Sequence, residues 1–130
     1  MSPVPRRGAV IAVTGAAGFI GGWVVRQLLD RGHRVRACVR DPADLARTCF
    51  LRAMPGLASG RLTMHADDLD QPGCYDSIFR GCHGVAHLSH LATYDDQDRI
   101  RRTCEHIIAS IEASGSVTRV VVTSSIAAVI

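Results

Sequence analysis

The chain has 130 residues, of which 47% are apolar and 21% charged, enough for one folded domain with a real core rather than a disordered segment. Its formal charge of +3 comes from 15 arginines and no lysine. These are scattered along the chain and accompanied only by Phe19, Trp23, Phe50, Tyr75, Phe79 and Tyr94, which argues against a nucleic-acid surface.

Residues 9–14 form an apolar, β-branched run (Val10, Ile11, Val13) that ends in Thr14 and predicts a first strand. Gly15, Gly18 and Gly21 follow at three-residue spacing, and a helix-periodic stretch, residues 19–31, begins among them and closes at Gly32. Ile20, Val24 and Leu28, with Val25 and Leu29 beside them, are its predicted apolar face. Three glycines alone mean little, but between a strand and a helix they carry a mechanism. Gly15 permits a tight turn, Gly18 lets backbone N–H groups approach a pyrophosphate, and Gly21 lets the helix pack closely on its strand. The positive end of the helix dipole then favours an anion. The passage predicts a dinucleotide site, with a ligand-free glycine turn as the alternative.

Arg6 and Arg7 before the uncharged residues 8–25 imitate a secretory leader. The glycine turn already accounts for the five glycines and Thr14 in that stretch, so a cytoplasmic chain is expected. No other uncharged stretch approaches bilayer length, and residues 120–130 are broken by Thr123, Ser124 and Ser125.

A second strand is predicted over residues 33–39, where Val35, Ala37 and Val39 alternate with Arg34, Arg36 and Cys38. Asp41 and Pro42 introduce a helix over residues 43–54, ended by Pro55 and Gly56. Residues 62–66 predict the third strand and residues 73–79 a short helix. Gly81 and Gly84 bracket the turn into a fourth strand, residues 85–89. A long helix over residues 95–113 opens on acidic residues, carries a stripe of Ile100, Cys104, Ile107, Ile108 and Ile111, and stops at Gly115. The fifth strand is residues 119–124. Strands four and five are continuous apolar runs, as expected where helices cover both faces.

Right-handed crossovers turn this alternation into a doubly wound α/β domain of Rossmann type, spanning residues 1–130, with a parallel sheet in the order 3-2-1-4-5. Ligands bind such sheets at the carboxyl ends of the strands, here between strands one and four. The five cysteines (Cys38, Cys49, Cys74, Cys82, Cys104) are odd in number, lack C-x-x-C spacing and mostly sit in apolar contexts. They read as small buried hydrophobes in a reducing compartment. Cys82, His83, His87 and His90 do not converge in the predicted elements, so no metal site is expected.

Four stretches, VTGAAGFIG (13–21), VRACVRDP (35–42), ADDLDQPGCYDSIFRGCHGVAHLS (66–89) and RVVVTSSIAAV (119–129), occur in family order and at family spacing. With them the chain resembles the extended short-chain dehydrogenase/reductase (NAD-dependent epimerase/dehydratase) family, nearest to its dihydroflavonol reductase and cinnamoyl-CoA reductase branch. The resemblance implies that Gly15, Gly18, Phe19 and Ile20 line the cofactor pyrophosphate, within the turn that Gly21 completes. It places Arg40 where relatives carry either an acid for the ribose 2′-hydroxyl or a base for a 2′-phosphate, and Arg47 at a second basic position. This implies NADP(H) ahead of NAD(H). Asp68 and Leu69 resemble the pair beside the adenine, and Leu88 and Ser89 the stretch beside the nicotinamide-side ribose. Family members usually have alanine and threonine where this chain has Ser89 and His90. Ser125 aligns with the family's catalytic serine, with Ser124 as the alternative. Each assignment has a plainer counterpart: surface charges for Arg40 and Arg47, a helix cap for Asp68, and a strand-end hydroxyl for Ser125.

The family's hydride chemistry uses a Y-x-x-x-K helix after the fifth strand. Here Tyr75 and Tyr94 lie upstream, and arginine differs from lysine in shape and charge chemistry. The last strands of the family's sheet and its substrate lobe are also absent, which leaves strand five at an edge. The expectation is therefore a C-terminally truncated Rossmann domain without a separate substrate domain. It would be the NADP(H)-binding portion of an oxidoreductase acting on a carbonyl or CH–OH group. The alternatives are a non-catalytic nucleotide-binding or sensor protein, and a small protein completed by a homo-oligomer or a complementing chain. The expected partners are a nicotinamide dinucleotide and, once the site is completed, a small carbonyl substrate, with neither nucleic acid nor membrane.

Overall fold

Strands alternate with helices along the chain, and a computed structural model describes residues 8–89 and 96–123. The strands are β1 (Val10–Thr14), β2 (Arg34–Val39), β3 (Leu62–Ala66), β4 (Gly84–His87) and β5 (Arg119–Val122). All neighbouring pairs are parallel, in the order β3-β2-β1-β4-β5, the doubly wound order expected from the alternation. Helix α1 (Phe19–Asp30) links β1 to β2, and α2 (Leu45–Arg52) with α3 (Pro55–Ser59) links β2 to β3. Helix α4 (Asp76–Phe79) leads to β4 and α5 (Gln97–Ser114) to β5.

The two-residue period of the strands sorts the interior into two cores. Ile11, Val13, Val35, Ala37 and Val39 face one side with Val25, Leu29, Leu51, Met54 and Leu62. Ala12, Cys38 and Val85 face the other with Tyr75, Phe79 and Ile107. Arg36 points to this second side, and its Nη1 donates to the carbonyls of Ile78 and Arg80 at 2.7 and 2.6 Å, closing the end of α4.

Several boundaries differ from expectation for local reasons. The helix predicted over residues 43–54 is α2 alone, capped by Asp44, whose carboxylate accepts from the Arg47 N–H at 3.1 Å. Pro55 does not end that helix but opens α3, because a missing N–H costs nothing at a first helical position. Met54 before it is extended, as a residue preceding proline tends to be. The short helix predicted over residues 73–79 is regular only from Asp76, and the fourth strand ends at His87 rather than Ser89. Asp96 caps α5 through the Arg99 N–H at 2.8 Å, and Gly115 ends it in the left-handed conformation, φ 63°.

Two helix faces are rotated from the predicted ones. The buried face of α1 is Gly21, Gly22, Val25 and Leu29, with Val24 and Leu28 half-buried and Ile20 exposed. Gly21 packs on the Gly15–Ala16 turn after β1 and Gly22 on the Phe50 ring of α2, each at a distance that leaves no room for a Cβ. In α5 the buried positions are Thr103, Ile107 and Ser110, while Cys104 and Ile108 are exposed. The polar members bury because they are satisfied: Ser110 Oγ donates to Asp76 at 2.6 Å and Thr103 Oγ1 to the Ile100 carbonyl at 2.9 Å.

Strand β5 was expected to be covered on both faces but is exposed at all four positions, with Val121 56% and Val122 61% accessible. It pairs with β4 on one side only and forms an edge of the described sheet. Of the cysteines only Cys38 and Cys82 are buried, Cys74 is half-buried, and Cys49 and Cys104 lie on outward helix faces.

Candidate functional site

The glycine turn after β1 has two positions that the fold itself demands. Gly15 has φ 65°, and a Cβ there would lie 2.9 Å from the Ser89 nitrogen. A Cβ on Gly21 would lie 1.9 Å from the Gly15 carbonyl oxygen, a backbone clash with no way out. Gly18 is different. Its φ of −74° suits any residue, and a Cβ would meet only the Gly15 oxygen, at 3.3 Å. Gly18 is exposed, N-caps α1 without a side-chain cap, and faces an open cleft; the first turn of α1 carries no acidic residue. The space in front of that helix end is shaped for an anion brought against bare backbone.

A hydrogen-bonded knot behind the turn positions the opposite wall. Thr14 Oγ1 accepts from the Leu88 and Ser89 N–H groups at 3.0 and 3.2 Å and lies 2.7 Å from His87 Nδ1. With both lone pairs of the hydroxyl engaged, its proton goes to Nδ1, so His87 is neutral with its proton on Nε2. Burial pushes the His87 pKa down, in the same sense. The knot holds the Leu88–Ser89 backbone against Gly15, at the switch point between β1 and β4.

The cleft has a volume of about 660 Å³ and runs from this turn to the ends of β2 and β3. Of the residues proposed from sequence, Gly15, Gly18, Arg40, Arg47, Asp68, Leu69, Leu88 and Ser89 line it. Phe19, Ile20 and Gly21 do not. Gly21 is buried beneath the turn, while the side chains of Phe19 (85% accessible) and Ile20 (62%) turn onto a separate apolar groove beside Trp23. The backbone of Phe19 and Ile20, in the first turn of α1, remains at the helix entrance. Ser125, its alternative Ser124, and His90 lie outside the described residues.

Arg40 and Arg47 are exposed on the rim, and the Arg47 guanidinium makes a long ion pair to Asp44 at 3.6 Å. Asp41 is turned into its own loop, accepting the Ala43 N–H at 2.9 Å. Asp68 caps no helix; its carboxylate accepts the Asp70 N–H at 2.9 Å in a tight turn. Sequence reasoning missed Asp67 and Arg99, which also line the cleft. Asp67 accepts from the Tyr75 hydroxyl at 2.7 Å, and burial pushes its carboxyl up despite that bond. Burial and the Asp67 carboxylate together push the Tyr75 phenol far up, so it stays protonated as a donor. Cys38, on the cleft floor, is likewise held as a thiol by burial. Position beside Asp68 was a signal for Asp67; Arg99 had none, since α5 delivers it from 30 residues away in sequence.

Helix α5 fastens the loop between β3 and α4 at two points and the first residue of α4 at a third. Arg99 forks onto Asp70 at 2.9 and 2.6 Å. His106 Nδ1–H donates to the Leu69 carbonyl at 2.9 Å, and Ser110 holds Asp76.

A family model described as NAD(P)H-binding matches residues 15–129. The chain is 40% identical to a dihydroflavonol 4-reductase of Hordeum vulgare over 122 residues, covering 88% of this chain and 34% of that protein. It is 40% identical to the cinnamoyl-CoA reductase CAD2 of Medicago truncatula over 129 residues, covering 94% and 39%. The chain thus spans little more than a third of the length of the curated relatives it matches. Its structure is similar to that of vestitone reductase from alfalfa (Medicago sativa), with a TM-score of 0.78 and 30% identity, covering 92% of this chain and 37% of the other. It shares the fold of Gre2 from Candida albicans, solved with NADPH, with a TM-score of 0.76 and 22% identity over 92% of this chain and 38% of the other.

Proposed function

The chain belongs to the NAD(P)H-binding family, and on that premise we propose that it is the NADPH-holding portion of a dihydroflavonol reductase-like oxidoreductase acting on a carbonyl group. The observation that carries this reading is the pairing of two features in one cleft: a bare helix N-terminus behind Gly18, and Arg40 at the end of β2. An acid at the end of β2 would select a free ribose hydroxyl, whereas an arginine fork suits a phosphate.

The residues present fit the cofactor. Gly15, Gly18 and the first turn of α1 hold the pyrophosphate through backbone N–H groups, and Gly21 keeps that turn against the sheet. Arg40 and Arg47 take the 2′-phosphate, Asp68 and Leu69 flank the adenine, and Leu88 and Ser89 flank the nicotinamide-side ribose. Bound NADPH supplies hydride. Ser125 is assigned to polarising the substrate carbonyl. Tyr75 is buried and donates to Asp67, which removes it as the proton source. We assign the acid, and the contacts that orient a small carbonyl substrate, to polypeptide outside these 130 residues, in the same protein or in a partner copy. The cytoplasm is the compartment we assign, in keeping with five free cysteines; no described helix is long and apolar enough to cross a membrane.

The second reading, a nucleotide sensor without catalysis, draws on the absence of any lysine from the sequence. The primary test is titration of the folded chain with NADPH and NADH by calorimetry. Tighter NADPH binding supports the assignment; equal affinity or tighter NADH overturns the role of Arg40.

A further inference from the structure

We infer that Arg99 forms one wall of the nucleobase end of the cleft, with the flat face of its guanidinium stacked on the purine of the bound dinucleotide. This rests on the cofactor reading above and adds a residue that the glycine turn and the β2 end do not imply. Arg99 stands in the first turn of α5 and lines the cleft together with Asp68 and Leu69. Its Nε and Nη2 both donate to the Asp70 carboxylate, at 2.9 and 2.6 Å. A two-pronged contact of this kind fixes the plane of the guanidinium as well as its position. Asp70 occupies the Nε/Nη2 edge of the group, which leaves its planar faces and its Nη1 edge open to a ligand. The side chain is 33% accessible, so it is anchored without being covered.

The neighbourhood favours a flat, neutral partner over an anion at this point. Asp70 offsets the Arg99 charge, and Asp68 and Asp96 also act on it. Among the described residues that line the cleft none is aromatic, so a purine finds its planar partner in an arginine. Guanidinium groups stack well on aromatic faces, where lysine offers only a point charge. The loop that carries Asp70 is itself held by His106 on the Leu69 carbonyl, which keeps the stacking wall in register with the base.

The test is NADPH titration of the full chain carrying Arg99→Ala, Arg99→Phe or Arg99→Lys, with melting curves to establish folding. Loss of one base-stacking contact weakens binding about tenfold, and Arg99→Ala is expected to show that loss. Arg99→Phe, which restores a flat face without charge, is expected to bind within about threefold of the unmodified chain, and Arg99→Lys to be as weak as alanine. Should Arg99→Ala fail to fold, the contrast between phenylalanine and lysine decides. Unchanged binding in Arg99→Ala, or rescue by lysine and not by phenylalanine, overturns the stacking role while leaving the cofactor reading intact. An unmodified chain that binds neither NADPH nor NADH overturns the cofactor reading, and this assignment with it.

Discussion

Thr14 Oγ1 lies 2.7 Å from His87 Nδ1, joining the last residue of β1 to the last residue of β4. The same oxygen accepts the N–H groups of Leu88 and Ser89, so one fully buried hydroxyl sets the backbone that forms the cleft wall beside Gly15. Thr14→Val keeps the shape but strands two N–H donors and one ring nitrogen. Leaving buried groups unpaired costs about 1–3 kcal/mol, and that loss is expected in urea denaturation. Thr14→Ser keeps the hydroxyl and should recover most of it. Equal stability of the valine variant would show that the knot contributes nothing.

Stability should fall as pH drops below about 6.5, the ordinary histidine value. His87 and His65 both have folded-state pKa values pushed down, each chiefly by burial, with Arg36 adding to the effect at His65. The unfolded chain therefore takes up protons first. Their stabilising contribution is complete above pH 6.5 and is lost as pH falls through the lowered folded values. His87→Gln should flatten the profile without abolishing it, since His65 remains; an unaltered slope would contradict the assignment.

Gly18 and Gly21 should fail in different ways. Gly21→Ala drives a methyl into the Gly15 carbonyl and should cost about 1–3 kcal/mol or more, as overpacking does, visible in the melting curve of the chain without ligand. Gly18→Val presses on one backbone atom, the Gly15 oxygen 3.3 Å from its Cβ, and should cost far less stability than Gly21→Ala while abolishing NADPH binding, because the branched side chain fills the pyrophosphate's place. Normal NADPH affinity in Gly18→Val would refute the placement of the pyrophosphate.

Arg40→Ala should weaken NADPH by roughly 1.5–3 kcal/mol, the scale of hydrogen bonds to a charged group, and leave NADH nearly unchanged. Calorimetry with both cofactors reads the difference. A loss shared equally between them would mean that Arg40 supports the cleft generally instead of reading the 2′-phosphate.

The 130-residue chain alone should not oxidise NADPH at an enzyme-like rate with aldehydes, ketones or acyl thioesters. A positioned general acid contributes roughly 10²–10⁴-fold, and Tyr75 is spent on Asp67. Orientation of the substrate contributes a further large factor. Turnover above about 1 s⁻¹, the low end for ordinary enzymes, would refute the half-site reading and direct attention to Tyr94 and the histidines.

Much of this molecule is determined by sequence alone, because the signals involved are short-range. Strand order follows from the β-α alternation and the handedness of crossovers. Gly15 is needed for a positive φ, and Gly115 ends α5 by the same local rule. Arg40 could be placed on the rim because it is the first residue after a strand whose alternation was plain. What only the tertiary structure decided is which side of each helix meets the sheet, and which distant residues complete the cleft. Ile20 and Ile108 fit a helical stripe yet are exposed. The close Gly21–Gly15 approach and the Ser110–Asp76 hydrogen bond fix which side of each helix faces inward, against the apolar pattern. Asp67, just after β3, and Arg99, in α5, reach the same cleft, a meeting that depends on the packing of α5 against the loop before α4. No periodicity within either segment encodes it, since the contact exists only once both have docked on the sheet.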